Sequence, residues 1–203
     1  MTSAQHPPSP DIPGGPTAAK QALRRRLLDQ RRQMGVAQRR QGNDSLAAAL
    51  LAAEEVRRAA QVAAYVPVGG EPGSLDLLAA LTTPSRRVLL PVLLPDDDLD
   101  WAEFTGLASL ARTGRGLWEP TGPRLGPGAV AAAEVVLAPG LAVDRTGARL
   151  GRGGGSYDRT LARVTGWTCL LLWEHEVLDE VPTEPHDLAV AAVATPSGVQ
   201  RFG

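Results

Sequence analysis

The segment EVVLAPGLAVDRTGARLGRGGGSYDRTLARVTGWTCLLLW, residues 134–173, decides the fold prediction. It begins and ends with apolar runs that are typical of buried strands. Between them lies RLGRGGGSYDR (Arg149–Arg159), in which four of five consecutive positions are glycine. The next residues have helical spacing at Tyr157, Leu161 and Val164. A strand, a glycine-rich loop, a helix and another strand form a unit that favours parallel strands.

The rest of the chain continues this alternation. Short helices are predicted at 126–133 and 74–81, and strands at 61–68, at 86–94 with an interruption at Pro91, at 99–104 with one exposed face, and at 187–195. The prediction is an α/β protein: a single-domain, three-layer α/β/α fold with a largely parallel, Rossmann-like sheet over residues 17–203.

The N-terminal region changes character at Thr17. Residues 1–16 are rich in Pro, Ser and Gly and are predicted to be a disordered leader. A helix follows, with Leu23 and Leu27 on its apolar side and a largely basic remainder interpreted as a solvated face: Lys20, Arg24, Arg25, Arg26, Arg31 and Arg32. A second helix is predicted over residues 37–58.

Composition excludes several classes of function. The chain has 203 residues, a net charge of −1 and a pI near 6.3, so there is no general basic field for nucleic acid. Cys169 lies in an apolar run and is predicted to be a buried, inert thiol, which favours a reducing cytoplasm. The sequence has no signal peptide pattern and no membrane-length apolar segment, so a cytoplasmic protein is expected.

The glycine loop has three possible interpretations. Because a helix follows, a flexible linker is disfavoured, and the free backbone N–H groups can converge on an anion such as phosphate. The standard nucleotide motifs are absent, since the required lysine is missing and Ser156 replaces the last glycine of a dinucleotide fingerprint. A phosphate site is favoured over a tight turn, which remains open.

Three acids and one pair of cations could serve such a site. Asp158 in the first helical turn suits Mg²⁺ or is a helix-dipole partner, and Asp187 is a second magnesium ligand or a routine turn residue. Glu71 lies in the loop at the end of a core strand, at the edge where open α/β sheets bind ligands. The alternative is that it is a loop acid that faces solvent. Lys20 and Arg24, four residues apart, could reach a polyphosphate or lie on the solvated face. His186 is taken as a solvated turn histidine.

Five motifs in order resemble the 5-formyltetrahydrofolate cyclo-ligase (methenyltetrahydrofolate synthetase) family. They are residues 20–31 (KQALRRRLLDQR), 65–74 (YVPVGGEPGS), 116–120 (GLWEP), 139–162 (PGLAVDRTGARLGRGGGSYDRTLA) and 181–190 (VPTEPHDLAV). The resemblance covers nearly everything after residue 17. It implies an ATP- and Mg²⁺-dependent ligase that converts 5-formyltetrahydrofolate to 5,10-methenyltetrahydrofolate through a phosphorylated formyl group, an iminium phosphate, with release of ADP and phosphate. A monomer that binds neither nucleic acid nor membrane is expected.

The resemblance also assigns roles to individual residues. The implied ATP-binding positions are Lys20, Gln21, Ala22, Leu23, Arg24, Arg149, Leu150, Gly151, Arg152, Gly153, Gly154, Gly155, Ser156 and Tyr157. Glu71 and Tyr157 would bind the folate, Asp158 and Asp187 the metal, and Arg152 and Asp158 would be catalytic. Two positions depart from the family pattern: Ser156 replaces an aromatic residue, and Ala191 replaces a carboxylate.

A second hypothesis is a non-catalytic relative that binds folate or nucleotide and associates with RNA. The acidic pI and the lack of an interleaved arginine and aromatic pattern disfavour RNA.

Overall fold

The computed structural model describes residues 16–184 and 187–203, so most of the predicted leader, and His186, lie outside the described residues. Within those ranges seven strands form one sheet: β1 (Gln61–Ala63), β2 (Arg87–Leu93), β3 (Leu99–Glu103), β6 (Val135–Pro139), β9 (Trp167–Leu171), β10 (Ala192–Thr195) and β11 (Gly198–Arg201). Their order is β11-β10-β9-β6-β1-β2-β3. The strands from β10 to β2 are parallel to their neighbours, and the antiparallel β11 and β3 form the edges. The predicted largely parallel sheet is confirmed.

Helices cover both faces of this sheet. Strand residues alternate between the faces, as the two-residue period of a strand requires. One face packs against α2 (Val36–Ala52), α3 (Glu54–Arg58) and α4 (Leu75–Leu81). The other face packs against α5 (Ser156–Leu161) and a 3₁₀ segment at Pro127–Ala132. The predicted three layers are present.

Two hairpins and one long helix lie outside these layers. The first hairpin joins β4 (Leu110–Arg112) to β5 (Trp118–Pro120), and the second joins β7 (Ala142–Val143) to β8 (Arg149–Leu150). The helix α1 (Pro16–Gln33) packs its Leu27 side chain on the second hairpin, in a cluster with Leu141, Leu150 and Val181. Because β7 follows the end of β6, this packing places α1 at the carboxyl edge of the sheet.

The strand β2 runs through Pro91 without the predicted interruption. On the side of β2 that faces β1, the Leu89 carbonyl accepts a hydrogen bond from the N–H of Ala64, which follows the end of β1. Because strand residues alternate, the next residue of β2 on that side is Pro91. The paired part of β1 ends opposite Leu89, and the missing N–H of Pro91 therefore removes no ladder hydrogen bond.

Two other expectations need correction. The strand β3 is not half-exposed, because Leu99 to Ala102 are all buried: Leu99 and Trp101 pack beside the 3₁₀ segment and α5, and Asp100, on the other side, accepts a hydrogen bond from the Gly126 N–H. The predicted helix over residues 37–58 is broken at Ala53, whose extended backbone ends α2 and begins α3. Ala53 is buried in the core, so packing rather than helix propensity sets this break. Within the described ranges, no helix is both long and apolar enough to span a membrane.

Candidate functional site

A pocket of about 270 Å³ lies at the carboxyl ends of β1, β2 and β6. The chain leaves β1 toward β2 and leaves β6 toward β9, so the strand order reverses between β1 and β6. Open α/β sheets bind ligands at such a reversal. One side of the pocket, called here the polar wall, consists of Arg149 and residues 151–158. The opposite side, the apolar wall, consists of Pro91, Leu93, Leu99, Leu117 and Trp118.

The glycine loop forms most of the polar wall. Gly153 and Gly155 have φ angles of 99° and 73°, in the left-handed region that disfavours side chains, and Gly155 caps α5. The guanidinium of Arg24 lies against Gly153, and its Nε donates to the Gly151 carbonyl over 2.9 Å. Since α1 supports the loop in this way, it does not behave as a flexible linker.

Arg149 is a buried arginine that interacts with both predicted metal ligands, Asp158 and Asp187. Arg149 donates a short hydrogen bond to Asp158, which lies in the first turn of α5. Burial lowers the pKa of the Arg149 guanidinium, while the negative charges of Asp158 and Asp187 favour its charged form. Asp158 therefore contacts Arg149 directly, and Asp187, from a different segment of the chain, contributes negative charge near the same guanidinium.

Lys20 is buried behind this group. Its Nζ lies 2.6 Å from a carboxylate oxygen of Asp187 and 2.6 Å from one of Glu184. Burial opposes the charge of Lys20, but the hydrogen bonds to Asp187 and Glu184 outweigh burial and raise the pKa of the lysine above its ordinary value. Lys20 thus carries a positive charge next to the polar wall.

Glu71 joins the polar wall to the loop after β1. It is only 7% exposed, which excludes the alternative of a solvent-facing acid. One carboxylate oxygen accepts from the Val68 N–H over 2.9 Å, and the other lies 2.9 Å from Nε of the half-exposed Arg152. This ion pair connects the predicted folate-binding acid to the predicted catalytic arginine.

The hydroxyl of Tyr157 is buried beside Glu71 and has no hydrogen-bond partner among the described residues. Burial, reinforced by the charge of Glu71, raises the pKa of Tyr157 well above its ordinary value, so the phenol is protonated. A buried hydroxyl without a partner loses the hydrogen bonds that it would make in water. Because Tyr157 lines the pocket, a polar ligand atom could supply that partner.

Comparisons with known proteins identify the family of this chain. Residues 16–196 match the model of the 5-formyltetrahydrofolate cyclo-ligase family. The chain belongs to the 5-formyltetrahydrofolate cyclo-ligase family. The cyclo-ligase of Mycolicibacterium smegmatis is 43% identical over 88% of this chain and 94% of its own length. The Escherichia coli K12 enzyme is 28% identical over 70% of this chain and 80% of its own.

Solved structures of 5,10-methenyltetrahydrofolate synthetases share the fold. The Aquifex aeolicus protein has a TM-score of 0.79 at 28% identity, covering 90% of this chain and 92% of its own. The Mycoplasma pneumoniae protein has a TM-score of 0.68 at 17% identity, covering 87% of this chain and 98% of its own. The resemblance inferred from the five motifs is confirmed, and the chain is placed in a family of enzymes.

The predicted site residues of this cyclo-ligase family member are not all at the pocket. Gln21 and Ala22 are exposed on α1, while Leu23 and Leu150 pack in the cluster around Leu27. Their assignment to ATP stays a prediction. Of the two departures from the family pattern, Ser156 lines the pocket, whereas Ala191 does not and instead donates its N–H to Thr168.

Sequence reasoning missed three residues around this site. Glu184, which shares Lys20 with Asp187, could have been noticed as an acid three positions before Asp187. Trp118 was quoted only as part of a motif, although it is 48% exposed at the pocket. Arg31, expected on a solvated face, is buried. The helical spacing of Arg31 relative to Leu27 is the pattern that could have revealed this burial.

Proposed function

We propose that this chain catalyses the ATP- and Mg²⁺-dependent closure of 5-formyltetrahydrofolate to 5,10-methenyltetrahydrofolate, with release of ADP and phosphate. The observation that carries the proposal is that one pocket is lined both by the glycine loop and by Glu71 and Tyr157. A phosphate-binding surface and a set of polar groups suited to a ring system thus face the same space. Family membership supports the same reaction.

The polar wall suits a triphosphate. Left-handed glycines leave the backbone N–H groups of the loop uncovered by side chains, as close approach to phosphate oxygens requires. Positive charge comes from three directions: Arg24 under Gly153, Lys20 behind Asp187, and Arg152 on the loop itself. Such cations neutralise the charge that spreads over a transferring phosphoryl group.

The same pocket also has groups that suit a reduced folate. Glu71 can accept hydrogen bonds from the N–H donors of a pterin, and the unpartnered Tyr157 hydroxyl can donate to an acceptor on the same ligand. The apolar wall, including the exposed ring of Trp118, offers a surface for flat aromatic rings. Specificity in such a pocket comes from a few polar groups on an otherwise apolar lining.

The carboxylates fit a magnesium ion that is bound mainly through substrate. In the described ranges, no group of three or more His, Cys, Asp or Glu side chains could hold a metal. Mg²⁺ in phosphoryl-transfer sites usually takes only one or two carboxylates, with phosphate oxygens and water completing its shell. Asp158, which contacts Arg149, and Asp187, whose charge acts on the same guanidinium, would supply those two. When bound, the ion would neutralise phosphate charge and orient the phosphoryl group.

The reaction needs activation of the formyl oxygen, which leaves poorly as hydroxide and well as phosphate. In the proposed sequence the formyl oxygen attacks the γ-phosphoryl group, ADP leaves, and an iminium phosphate forms. The N10 amine then adds to the formyl carbon and loses its proton, and the C–O bond breaks as phosphate departs, with that proton ending on the released phosphate. The protein supplies positions and charge rather than a nucleophile: Glu71 and Tyr157 orient the pterin, and Arg152 stabilises the phosphoryl charge.

The test is an absorbance assay for the methenyl chromophore with purified protein. Chromophore is expected only when ATP, Mg²⁺ and 5-formyltetrahydrofolate are all present, with one ADP released for each product. Binding of ATP or the folate without turnover would favour the non-catalytic hypothesis. Formation of chromophore without ATP would contradict the phosphorylation step.

A further inference from the structure

One face of α1 connects the pocket to the buried interior. Lys20, Arg24, Leu27 and Arg31 are separated by four, three and four residues, so they lie along a single face of the helix. Arg24 reaches the polar wall at the Gly151 carbonyl, Lys20 pairs with Asp187, and Leu27 packs on the hairpin of β7 and β8. Arg31, at the opposite end of this face, is 2% exposed.

Arg31 is held by three hydrogen bonds. Its Nε and Nη2 donate to the two carboxylate oxygens of Glu176 over 2.6 and 2.9 Å. Its Nη2 also donates to the Gly140 carbonyl over 2.5 Å. Glu176 follows β9 and is fully buried, and Gly140 follows β6 and lines the pocket. The planar guanidinium therefore fixes both the position and the rotation of α1 against two strand ends.

The same contacts extend to the loop that carries Glu71. The Trp173 N–H donates to Glu176 over 2.9 Å, and the Trp173 indole donates to the Gly70 carbonyl over 2.9 Å. A Cβ on Gly70 would lie 3.2 Å from Cβ of Arg31, so the loop and α1 touch directly there. Arg31 thus lies where the segments after β1, β6 and β9 meet α1.

Stability alone is a weak reason for this arrangement. Replacing a buried ion pair by apolar residues of similar size is often neutral or stabilising, because taking two charges out of water offsets much of their attraction. In addition, Nη1 of Arg31 is buried without a hydrogen-bond partner among the described residues. An arginine here gives a fixed geometry that an apolar side chain would not give.

We propose that Arg31 is a positioning residue for nucleotide binding: its pairing with Glu176 sets the register of α1, so that Lys20 and Arg24 reach the phosphates of ATP. This inference rests on the proposed function. The pair also reaches the loop of Glu71, through Trp173 and Gly70, but the Glu71 carboxylate itself is held by Val68 and Arg152, so the folate side depends less on the pair. Loss of the Arg31–Glu176 pair should therefore weaken ATP binding more than folate binding.

The test compares the double variant Arg31→Met/Glu176→Gln, which leaves no unpaired charge, with the conservative Arg31→Lys. The matched control is Arg32→Met, because Arg32 is the next residue on α1 and its partner Asp29 is exposed. We expect the double variant to raise the ATP KM and the calorimetric Kd for Mg-ATP roughly tenfold or more, since loss of one hydrogen bond between a charged side chain and a phosphate has an effect of this order. The folate KM, kcat at saturating ATP and the control should change less than about twofold, and Arg31→Lys should lie in between.

The outcomes separate this inference from the proposed function. If the wild-type protein forms no chromophore, the proposed function fails. If the wild-type protein is active and the double variant keeps its ATP affinity, only the positioning role fails. Equal increases in both KM values, or a double variant that does not fold, would show that the pair is a structural element and would overturn the inference.

Discussion

The polar and apolar walls of the pocket are built from different parts of the chain and by different forces. The polar wall, Arg149 and residues 151–158, is a short segment of backbone that is contacted by side chains far away in sequence: Arg24 donates to the Gly151 carbonyl, and Glu71 pairs with Arg152. The apolar wall is made of strand residues from β2 and β3 and of one hairpin. The polar wall depends on ion pairs and backbone conformation, and the apolar wall depends on packing. Changes to the two walls should therefore affect ATP binding and folate binding separately.

The largest effect is expected from the glycine loop. Gly153→Val and Gly155→Val place a β-branched residue at a positive φ, and the added atoms would occupy the space next to the phosphates. A Cβ at Gly153 would lie 3.5 Å from the Arg24 guanidinium, and a Cβ at Gly155 would lie 3.2 Å from the end of the Arg159 side chain. Both neighbours are long, flexible side chains, so the fold should survive. We expect ATP binding to be abolished, measured as ATP KM and by calorimetry.

Two controls separate strain from loss of the ligand. Gly198→Val makes the same substitution at another glycine with a positive φ, at the turn between β10 and β11, where no atom of the described residues lies close to the added Cβ. This variant should leave the ATP KM unchanged. Gly147→Ala would bring a Cβ to 2.4 Å from the Val190 carbonyl and should lower the melting temperature more than nucleotide affinity. Normal ATP binding by the valine variants, or their unfolding, would show that the loop is a structural turn.

The next effect concerns the charge on the polar wall. Asp158→Asn keeps an oxygen that can accept from Arg149, so the fold should be retained, but it removes one proposed magnesium ligand. We expect kcat to fall by about 10²- to 10³-fold, because electrostatic stabilisation by a bound metal is worth several kcal/mol. The Mg²⁺ dependence of the rate should shift to higher concentration. Asp179→Asn, at an exposed acid, is the control, and an unchanged magnesium titration in Asp158→Asn would disprove the metal assignment.

Glu71 pairs with Arg152 of the polar wall, and its replacement should distinguish folate binding from ATP binding. Glu71→Gln keeps the size of the side chain but loses the charge that holds Arg152 and that would accept from the pterin. Hydrogen bonds to charged groups contribute about 1.5–3 kcal/mol, so the folate KM should rise roughly 10- to 100-fold. The ATP KM should change much less. Glu103→Gln, an acid in a surface pair with Arg87, serves as the control. A larger effect on ATP than on folate would reverse the assignment of the two sides.

A smaller effect is expected from the apolar wall. Trp118→Ala removes an exposed ring, and aromatic contacts are worth about 0.5–1.5 kcal/mol, so the folate KM should rise about two- to tenfold. The ATP KM should stay constant, and Trp118→Phe should restore most of the folate affinity. Leu125→Ala, at an exposed apolar residue outside the pocket, is the control. An unchanged folate KM would mean that this face does not contact the substrate.

Local pattern was enough to predict the fold and the centre of the polar wall. The alternation of apolar runs with helical spacing predicted the parallel sheet, and the glycine loop before a helix predicted where the pocket lies. Glu71 was placed correctly because residues after parallel strands gather at one edge of the sheet. These features depend on neighbours in sequence or on general rules of α/β topology.

The remaining features depend on partners that are distant in sequence. Arg31 pairs with Glu176 across 145 residues and Lys20 with Glu184 across 164, and no local pattern reports either pairing. Pro91 was expected to interrupt β2, but its position beyond the end of β1 is a matter of register between strands. The apolar wall likewise forms only when the hairpin of β4 and β5 reaches the strand ends.

The smallest effect tests how the polar wall is anchored, through Asp144 in the turn that leads to the glycine loop. One oxygen of Asp144 accepts from Thr146 and Ala148, and the other accepts from the Val181 N–H, on the segment that leads to Asp187. Burial alone would raise the pKa of Asp144, but these hydrogen bonds outweigh burial and hold the pKa below its ordinary value.

Because the folded state depresses this pKa, Asp144 stabilises the protein above the ordinary pKa of an aspartate, about 4, and the contribution is lost as pH falls through the lower folded value. The free energy of unfolding, measured by urea at a series of pH values, should therefore fall between about pH 5 and pH 2 more steeply in the wild type than in Asp144→Asn. The difference should be about 1–2 kcal/mol, which one or two hydrogen bonds to a carboxylate can account for. Asp179→Asn should follow the wild-type curve, since its side chain is exposed. Parallel curves for the wild type and Asp144→Asn would show that the Asp144 carboxylate does not stabilise the contact between the turn before the polar wall and the segment at Val181, and would leave the contacts of α1 as the anchor of the polar wall.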